Sequence, residues 1–401
     1  MIELIASFSS LPLFTTTWLS FYTSNMTRSI IVLGSTGKIG IQALEIIANY
    51  SDHFKLVGIS GHQNLSLLEK QIIRFSPSFV AVCEKPHADF LKVKFPNTVF
   101  FYGTSGLTNL VSQVEAQMVC VAIVGTAALQ PTLAAIESGK DIALASKEVL
   151  VAAGHLVNSF LRKYKRKLYP IDSEHAAIDL CLNGFKKPDI SRLILTASGG
   201  PFLHQEDLSQ VTLSQALKHP NWIMGDKITI DSATLINKGL EVIEAHWLFR
   251  LPYSKIDVLI HPQSVVHGMI ELRNGAIIAQ LSAPTMKMPI LYALSSRKIL
   301  PFREHPLRLE NTSLEFLPPD LDKFRGLKLA YEVGLKGQTW PTSFSAANEE
   351  AVSLFLHNKI RFDQIVPLIE HCLEHHQPIK SPSLEDILAV DRQTRITLHA
   401  H

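Results

Sequence analysis

From Ser29 onward, short apolar runs alternate with longer stretches in which apolar and polar positions mix. Residues 30–33, 56–59, 79–83, 99–102, 119–123, 142–145 and 168–171 are almost wholly apolar, as expected of buried strands, and each is followed by an amphipathic or mixed segment. This rhythm predicts βαβ units feeding a parallel sheet. After the first run, Ala43, Ile46, Ile47 and Tyr50 fall at i, i+3, i+4 and i+7, one apolar helix face that packs back on the sheet. Farther along, 265–272 and 276–281 flank Arg273-Asn274-Gly275, a hairpin signal that adds antiparallel strands. Pro301, Pro306, Pro318 and Pro319 mark 296–321 as a linker, and helical patterns such as 346–356 predict a small terminal bundle. The expected fold class is therefore α/β: a Rossmann-like parallel-sheet domain (29–171), an α+β domain (172–295), the linker, and a C-terminal helical bundle (322–401).

Composition narrows the function classes. With 401 residues and 46% hydrophobic content the chain can bury a large core, and its formal net charge of +2, with scattered basic residues, leaves no electrostatic footprint for nucleic acid. Cys83, Cys120, Cys181 and Cys372 lie far apart without paired spacing, against both a disulfide framework and a thiolate metal site, so a reducing, cytoplasmic compartment is expected. Residues 4–27 carry no charge, yet they lack a basic flank, contain Pro12 and are rich in Ser and Thr, a poor match to a signal or membrane segment. Residues 1–28 are read as an N-terminal extension from a mis-assigned start, with Met26 as the true one; a targeting peptide is the competing reading.

The chemistry gathers where strands end. Gly34-Ser35-Thr36-Gly37-Lys38-Ile39-Gly40 joins the first strand to the first helix, and its glycines suit a pyrophosphate held at a helix N-terminus; a plain strand-to-helix turn is the alternative. The second strand ends in Ser60-Gly61-His62-Gln63-Asn64, with no carboxylate to repel a 2′-phosphate, which favours NADP over NAD. Later strands run into Ser146-Lys147-Glu148 and into Asp172-Ser173-Glu174-His175. Asp172 and Glu174 would leave an extended segment on one face and grip a cation, or Asp172 or Ser173 would cap the next helix.

The strand at 192–196 ends in Ala197-Ser198-Gly199-Gly200-Pro201, either a phosphate cradle or an ordinary loop. His219-Pro220-Asn221-Trp222-Ile223-Met224-Gly225 lacks periodicity and reads as a lid over substrate or as a surface loop pinned by its tryptophan. A helix is expected to start with Asp231 as its N-cap. On it Asn237, Glu241 and Glu244 share one face, either functional or solvated, beside an apolar face of Leu240, Ile243 and Trp247. His246, His261 and His267 have no ligand-like grouping with cysteines and are read as core or surface residues.

In order and along nearly the whole chain after Met26, these blocks, together with His261-Pro262-Gln263-Ser264, resemble the 1-deoxy-D-xylulose 5-phosphate reductoisomerase family. The resemblance implies NADPH, Mg²⁺ or Mn²⁺, a phosphorylated keto sugar as substrate, and a homodimer formed through the sheet of the second domain. It implies Asp172, Glu174 and Glu241 as metal ligands. Lys147, Ser173, Glu174, Ser198, His219, Ser232, Asn237, Lys238 and Glu241 would hold the substrate, and Thr36, Gly37, Lys38, Ile39, Asn64, Glu148 and Gly225 would touch the cofactor. Three carboxylates without cysteine agree with a hard divalent cation. Several positions depart from the family pattern: Ser146 for Asn, Val149 for Ser, Lys38 for Ser, and His62 and Gln63 beside the 2′-phosphate. Two rival functions remain at this level, another NADP-dependent dehydrogenase and a non-catalytic dinucleotide sensor.

Overall fold

The computed structural model of the chain describes residues 27–399, apart from 223, 303 and 305. The reading of 1–28 as an extension thus lies outside the described residues, except at its end, where Arg28 already belongs to the first strand and donates to the Leu294 carbonyl at 2.9 Å.

All seven apolar runs form strands: β1 (Arg28–Leu33), β2 (Phe54–Ser60), β3 (Phe79–Val82), β4 (Val99–Tyr102), β5 (Met118–Val121), β6 (Asp141–Leu144) and β7 (Leu168–Pro170). They make one parallel sheet in the order β4-β3-β2-β1-β5-β6-β7. β1 shows why its sequence has no polar alternation. Ile30 and Val32 enter a core with Ala43, Ile46, Ile47 and Tyr50, whereas Ile31 and Leu33 enter the opposite core with Leu110, Leu129 and Leu150. Helices cover both faces, so every position must be apolar. Because β1 is flanked by β2 on one side and β5 on the other, the strand order reverses there and a crevice opens beyond the carboxyl ends.

A second sheet, ordered β11-β10-β8-β9, contains β8 (Ile190–Ala197), β9 (Ile256–Ile260), β10 (Val266–Leu272) and β11 (Ile277–Leu281). β10 is antiparallel to both β8 and β11 across the expected Arg273-Asn274-Gly275 turn. The four helices Arg325–Lys336, Trp340–Leu356, Ile365–Glu374 and Leu384–His399 follow. Their apolar faces share a core with this sheet: Phe344, Ala351 and Phe355 are buried in the same cluster as Leu193, Leu195 and Leu240. The proline-rich segment runs beside β9, where Leu317 bridges Ile260 and the Phe316 ring stacks on His261 at 4.7 Å. Among the described residues no helix is long and apolar enough to cross a membrane.

One expected boundary is wrong. Asp231 does not cap a helix; it lies inside the helix Asp226–Ala233, whose N-cap is Gly225, and a second helix, Ile236–Phe249, starts only after an elbow. Leu235 at the elbow has φ +56°, a left-handed conformation that ends one helix before the next begins. Asp231 is held instead by Lys227 one turn earlier.

Candidate active site

The residues singled out at the strand ends converge. In the first turn Gly34 has φ +79° and a Cβ there would stand 2.5 Å from the Ala122 carbonyl oxygen, while one on Gly40 would stand 2.2 Å from that of Gly34. Only glycine fits such an approach. Gly37 occupies the N-cap position of the helix Lys38–Asn49 and takes no side-chain cap, leaving its first N–H groups directed outward from the sheet edge. Beyond the same edge lies a cavity of about 410 Å³.

Its walls include Lys147 after β6, Asp172, Ser173 and Glu174 after β7, Ser198 after β8, His219, and Ser232, Asn237, Lys238 and Glu241 around the elbow, so every expected substrate and metal residue is present. Of the expected cofactor residues, Lys38, Ile39 and Gly225 also face it. Thr36 and Gly37 lie in the glycine turn itself. Asn64 caps the helix Leu65–Phe75 by accepting the Leu67 N–H at 3.1 Å, and Glu148 is turned toward Lys227.

Charge is concentrated at the floor. The Lys147 ammonium lies 2.5 Å from Asp172 Oδ2 and 3.0 Å from Glu241 Oε1, and it donates to Asn237 at 2.9 Å. Lys238 pairs with Glu174 at 2.6 Å and also with Glu241. Of the two tasks suggested for it, Asp172 is seen in one: its Oδ1 caps the helix Ser173–Cys181, while its Oδ2 is directed to Lys147 at the cavity floor. Burial favours neutral forms here, but the neighbouring charges outweigh it for most groups: Lys147 is raised well above its ordinary value by Asp172 and Glu241, and Asp172 is driven down by Lys147. Glu241 goes the other way. Its complete burial and the crowding by Glu174 raise it despite both lysines. Asp172 Oδ2 is buried without a hydrogen bond of good geometry although Lys147 is close. Three carboxylates thus bring hard oxygen donors to one cavity, and one Asp172 oxygen lacks a hydrogen bond, a donor set that suits a small divalent cation.

Among the described residues, ligand atoms of Asp172, Glu241 and His175 lie within 4.8 Å of one another here, a grouping with His175 in place of Glu174. His175, however, donates from Nε2 to the Glu241 carbonyl at 2.9 Å and turns Nδ1 toward Asp172 and Glu244. Burial lowers its affinity for a proton, but Glu244 and Asp172 outweigh burial and push it up to about 9, so its ring is engaged by these neighbours and not turned to the cavity as a ligand. Glu244, also buried, lies 3.5 Å from His175 Nδ1 and does not face solvent, and burial pushes its carboxyl up to about 8.

His219, Asn221, Trp222, Met224 and Gly225, from the segment read as a lid or a pinned loop, line the cavity. His219 Nδ1 accepts the backbone N–H groups of Asn221 and Trp222 at 3.2 and 3.0 Å, which fixes the proton on Nε2 for donation to Ser198 Oγ at 2.9 Å. Ser198 also accepts from the Gly200 N–H, so its own hydroxyl proton is left for a ligand. Burial lowers His219 to about 4, keeping it neutral. Asn221 reaches Ser264 at 3.0 Å, and Lys38 donates to the Met224 carbonyl, tying the glycine turn to the residue before Gly225. Trp222 meets His267 edge-on at 6.0 Å.

Residues outside the expected set complete the support. Lys227 joins Glu148 at 2.9 Å to Asp231 at 2.7 Å, and Asn348 of the terminal bundle donates to Asp231 at 2.8 Å. The Lys227/Asp231 pair had a visible i, i+4 spacing; Asn348 carries no local signal. His261 and His267, read as core or surface residues, are buried and line the cavity.

Comparison with known proteins agrees along the chain. Family models described as 1-deoxy-D-xylulose 5-phosphate reductoisomerase, its C-terminal domain, and DXP reductoisomerase C-terminal domain match residues 30–154, 168–249 and 281–397. The chain is 50% identical over 378 residues to 1-deoxy-D-xylulose 5-phosphate reductoisomerase of Halalkalibacterium halodurans, covering 93% of this chain and 99% of that one. The Synechococcus protein of the same name is 50% identical over 375 residues, 92% of this chain and 96% of its own. Among solved structures, the Zymomonas mobilis reductoisomerase in complex with NADPH superposes with a TM-score of 0.87 at 37% identity, covering 93% of this chain and 98% of that one. A DOX-P reductoisomerase in complex with NADPH, fosmidomycin and magnesium gives 0.88 at 37% identity with the same coverage.

Proposed function

The chain belongs to the 1-deoxy-D-xylulose 5-phosphate reductoisomerase family, and on that premise we propose that its cavity converts 1-deoxy-D-xylulose 5-phosphate to 2-C-methyl-D-erythritol 4-phosphate with NADPH and Mg²⁺ or Mn²⁺. The observation that carries this reading is the meeting of Asp172, Glu174 and Glu241 with Lys147 and Lys238 in one cavity beside the glycine turn. The donor set and the incompletely partnered Asp172 Oδ2 fit a hard divalent cation, with Asp172, Glu174 and Glu241 as its holders. Thr36, Gly37, Lys38, Ile39, Asn64, Glu148 and Gly225 are assigned to NADPH, the glycine-turn residues directly and Glu148 from the adjoining helix start. When bound, the cation supplies Lewis acidity toward the keto and hydroxyl oxygens, and NADPH supplies the hydride that reduces the rearranged aldehyde.

The side chains do the rest. Ser198, through its free hydroxyl proton, together with Ser232, Asn237 and Lys238, anchors the phosphate end and orients the carbon skeleton. Lys147 neutralises charge gathering on the substrate oxygens, and its raised pKa keeps it cationic throughout. Ser173 positions Glu174 by donating to it at 2.5 Å. His219, neutral and fixed in one tautomer, transmits occupancy at Ser198 to the lid, and Trp222 shields the cavity from water.

The division at 29–171, 172–295, 296–321 and 322–401 assigns cofactor, catalysis, connection and support to successive parts. We place the enzyme in the cytoplasm, consistent with four free cysteines, and as a homodimer in which the edge strand β11, with half-exposed Ile277, meets a second copy. Titration of Mn²⁺ into Asp172→Asn, Glu174→Gln and Glu241→Gln tests the ligand set: each should weaken binding at least tenfold, as roughly expected for loss of a ligand or its partner, and unchanged affinity would remove that residue from the set.

A further inference from the structure

Far from the cavity, a second group of ligand-type side chains sits on the helix Ile365–Glu374 and its cap residue. His371, Glu374 and His375 follow i, i+3, i+4 spacing and so stand on one face of the last turn. One ligand atom from each comes within 4.8 Å of the other two, and the two imidazoles lie 4.4 Å apart, centroid to centroid. None of the three lines the catalytic cavity.

The geometry does more than bring them near. His375 Nδ1 contacts the carbonyl of His371 at 2.9 Å, where only an N–H can sit, so Nδ1 carries the proton and Nε2 keeps its lone pair. A backbone carbonyl holding one ring nitrogen so that the other can ligate is the usual outer-shell arrangement at metal-bound histidines. The group also occupies the carboxyl end of a ten-residue helix, where the backbone dipole favours positive charge. Glu374 and His375 are exposed and His371 is half-buried, so an ion reaches the site from solvent and retains water at its remaining positions. Cys372 does not join. It points inward, and burial pushes its thiol up to about 11, which leaves it protonated.

We propose that His371, Glu374 and His375 form a surface site for a borderline divalent cation such as Zn²⁺, Co²⁺ or Ni²⁺, distinct in place and chemistry from the catalytic carboxylates. Two imidazoles and one carboxylate select such ions over Mg²⁺, which prefers oxygen donors alone. Bound there, the ion clamps the last turn of a helix that packs on Trp340–Leu356 and Leu384–His399. Its effect is on the stability of the terminal bundle, with no change in turnover.

The test uses the full, tag-free protein saturated with Mg²⁺, in an Asp172→Asn background so that the cavity does not compete. Zn²⁺ affinity is read by competition with a chromophoric chelator, in that parent and with His371→Ala, His375→Ala, Glu374→Gln, or both histidines replaced. One Zn²⁺ per chain is expected, with each single histidine change weakening it roughly ten- to a hundredfold and the double change abolishing it. The thermal midpoint should rise with Zn²⁺ in the parent and not in the double variant, whose metal-free midpoint shows that it folds. With Asp172 intact, the double histidine variant should turn over at the parent rate. A parent that binds no Zn²⁺, or a double variant that binds it equally well, overturns the assignment.

Discussion

Replacing Lys227 with methionine tests whether the start of the helix Asp226–Ala233 is held by buried charge. The ammonium bridges Glu148 at 2.9 Å and Asp231 at 2.7 Å, and the side chains of these two acids are 8% and 1% exposed. Methionine preserves most of the packed stem and removes only the charge. Asp231 would retain the Asn348 donor, but Glu148 would lose the main charge that holds its carboxyl low. Breaking a buried pair costs about 3–5 kcal/mol, against ~1 kcal/mol or less for an exposed one. A loss in the upper range is expected at pH 7, read from chemical denaturation midpoints. In the parent, Glu148 is depressed, so it stabilises the fold above its ordinary value of 4.5 and that contribution fades as pH falls through the lowered value. Without Lys227, burial raises the carboxyl instead, and the fold is penalised as pH climbs above 4.5. The gap between variant and parent should therefore narrow from pH 7 toward pH 5, and Glu148→Gln added to Lys227→Met should restore much of the loss. A deficit near ~1 kcal/mol, with no pH dependence, would refute the buried-charge argument.

Other outcomes follow from the same geometry. His219 is lowered from 6.5 to about 4, so between those values the unfolded chain binds a proton that the fold excludes; stability should fall as pH drops through that window, and His219→Gln should flatten the slope in denaturation curves. Lys38→Ser removes the tie to Met224, and one hydrogen bond of about 1 kcal/mol predicts a severalfold rise in KM for NADPH with kcat little changed; steady-state kinetics showing an unaltered KM would rule out the latch.

The parallel sheet was legible because its strands are buried on both faces and so appear as uninterrupted apolar runs, each bounded by polar segments. The cavity was legible for a related reason: open parallel sheets bring strand ends together, so Lys147, Asp172 and the glycine turn had to meet. The elbow was not. Nothing in Leu235 announces a left-handed residue, and the Asp231-Ser232 pair imitates a helix start. Long-range partners were equally hidden, since Asn348 reaches Asp231 from 117 positions away. The Lys38 contact with Met224 likewise joins residues 186 positions apart. Local spacing did anticipate Asn237 and Glu241, now joined by a 2.5 Å hydrogen bond, although a solvated face would have shown the same pattern.

Rearrangement and reduction of the substrate by this cavity, with NADPH and under control of a carboxylate-held cation, is the function proposed for the protein. It is tested most directly by following NADPH absorbance with 1-deoxy-D-xylulose 5-phosphate, with Mg²⁺ and with chelator, for the parent and Asp172→Asn. Oxidation that requires Mg²⁺, yields 2-C-methyl-D-erythritol 4-phosphate and disappears in the variant is the predicted result. NADPH binding without turnover, or oxidation indifferent to chelator and to Asp172, would contradict it.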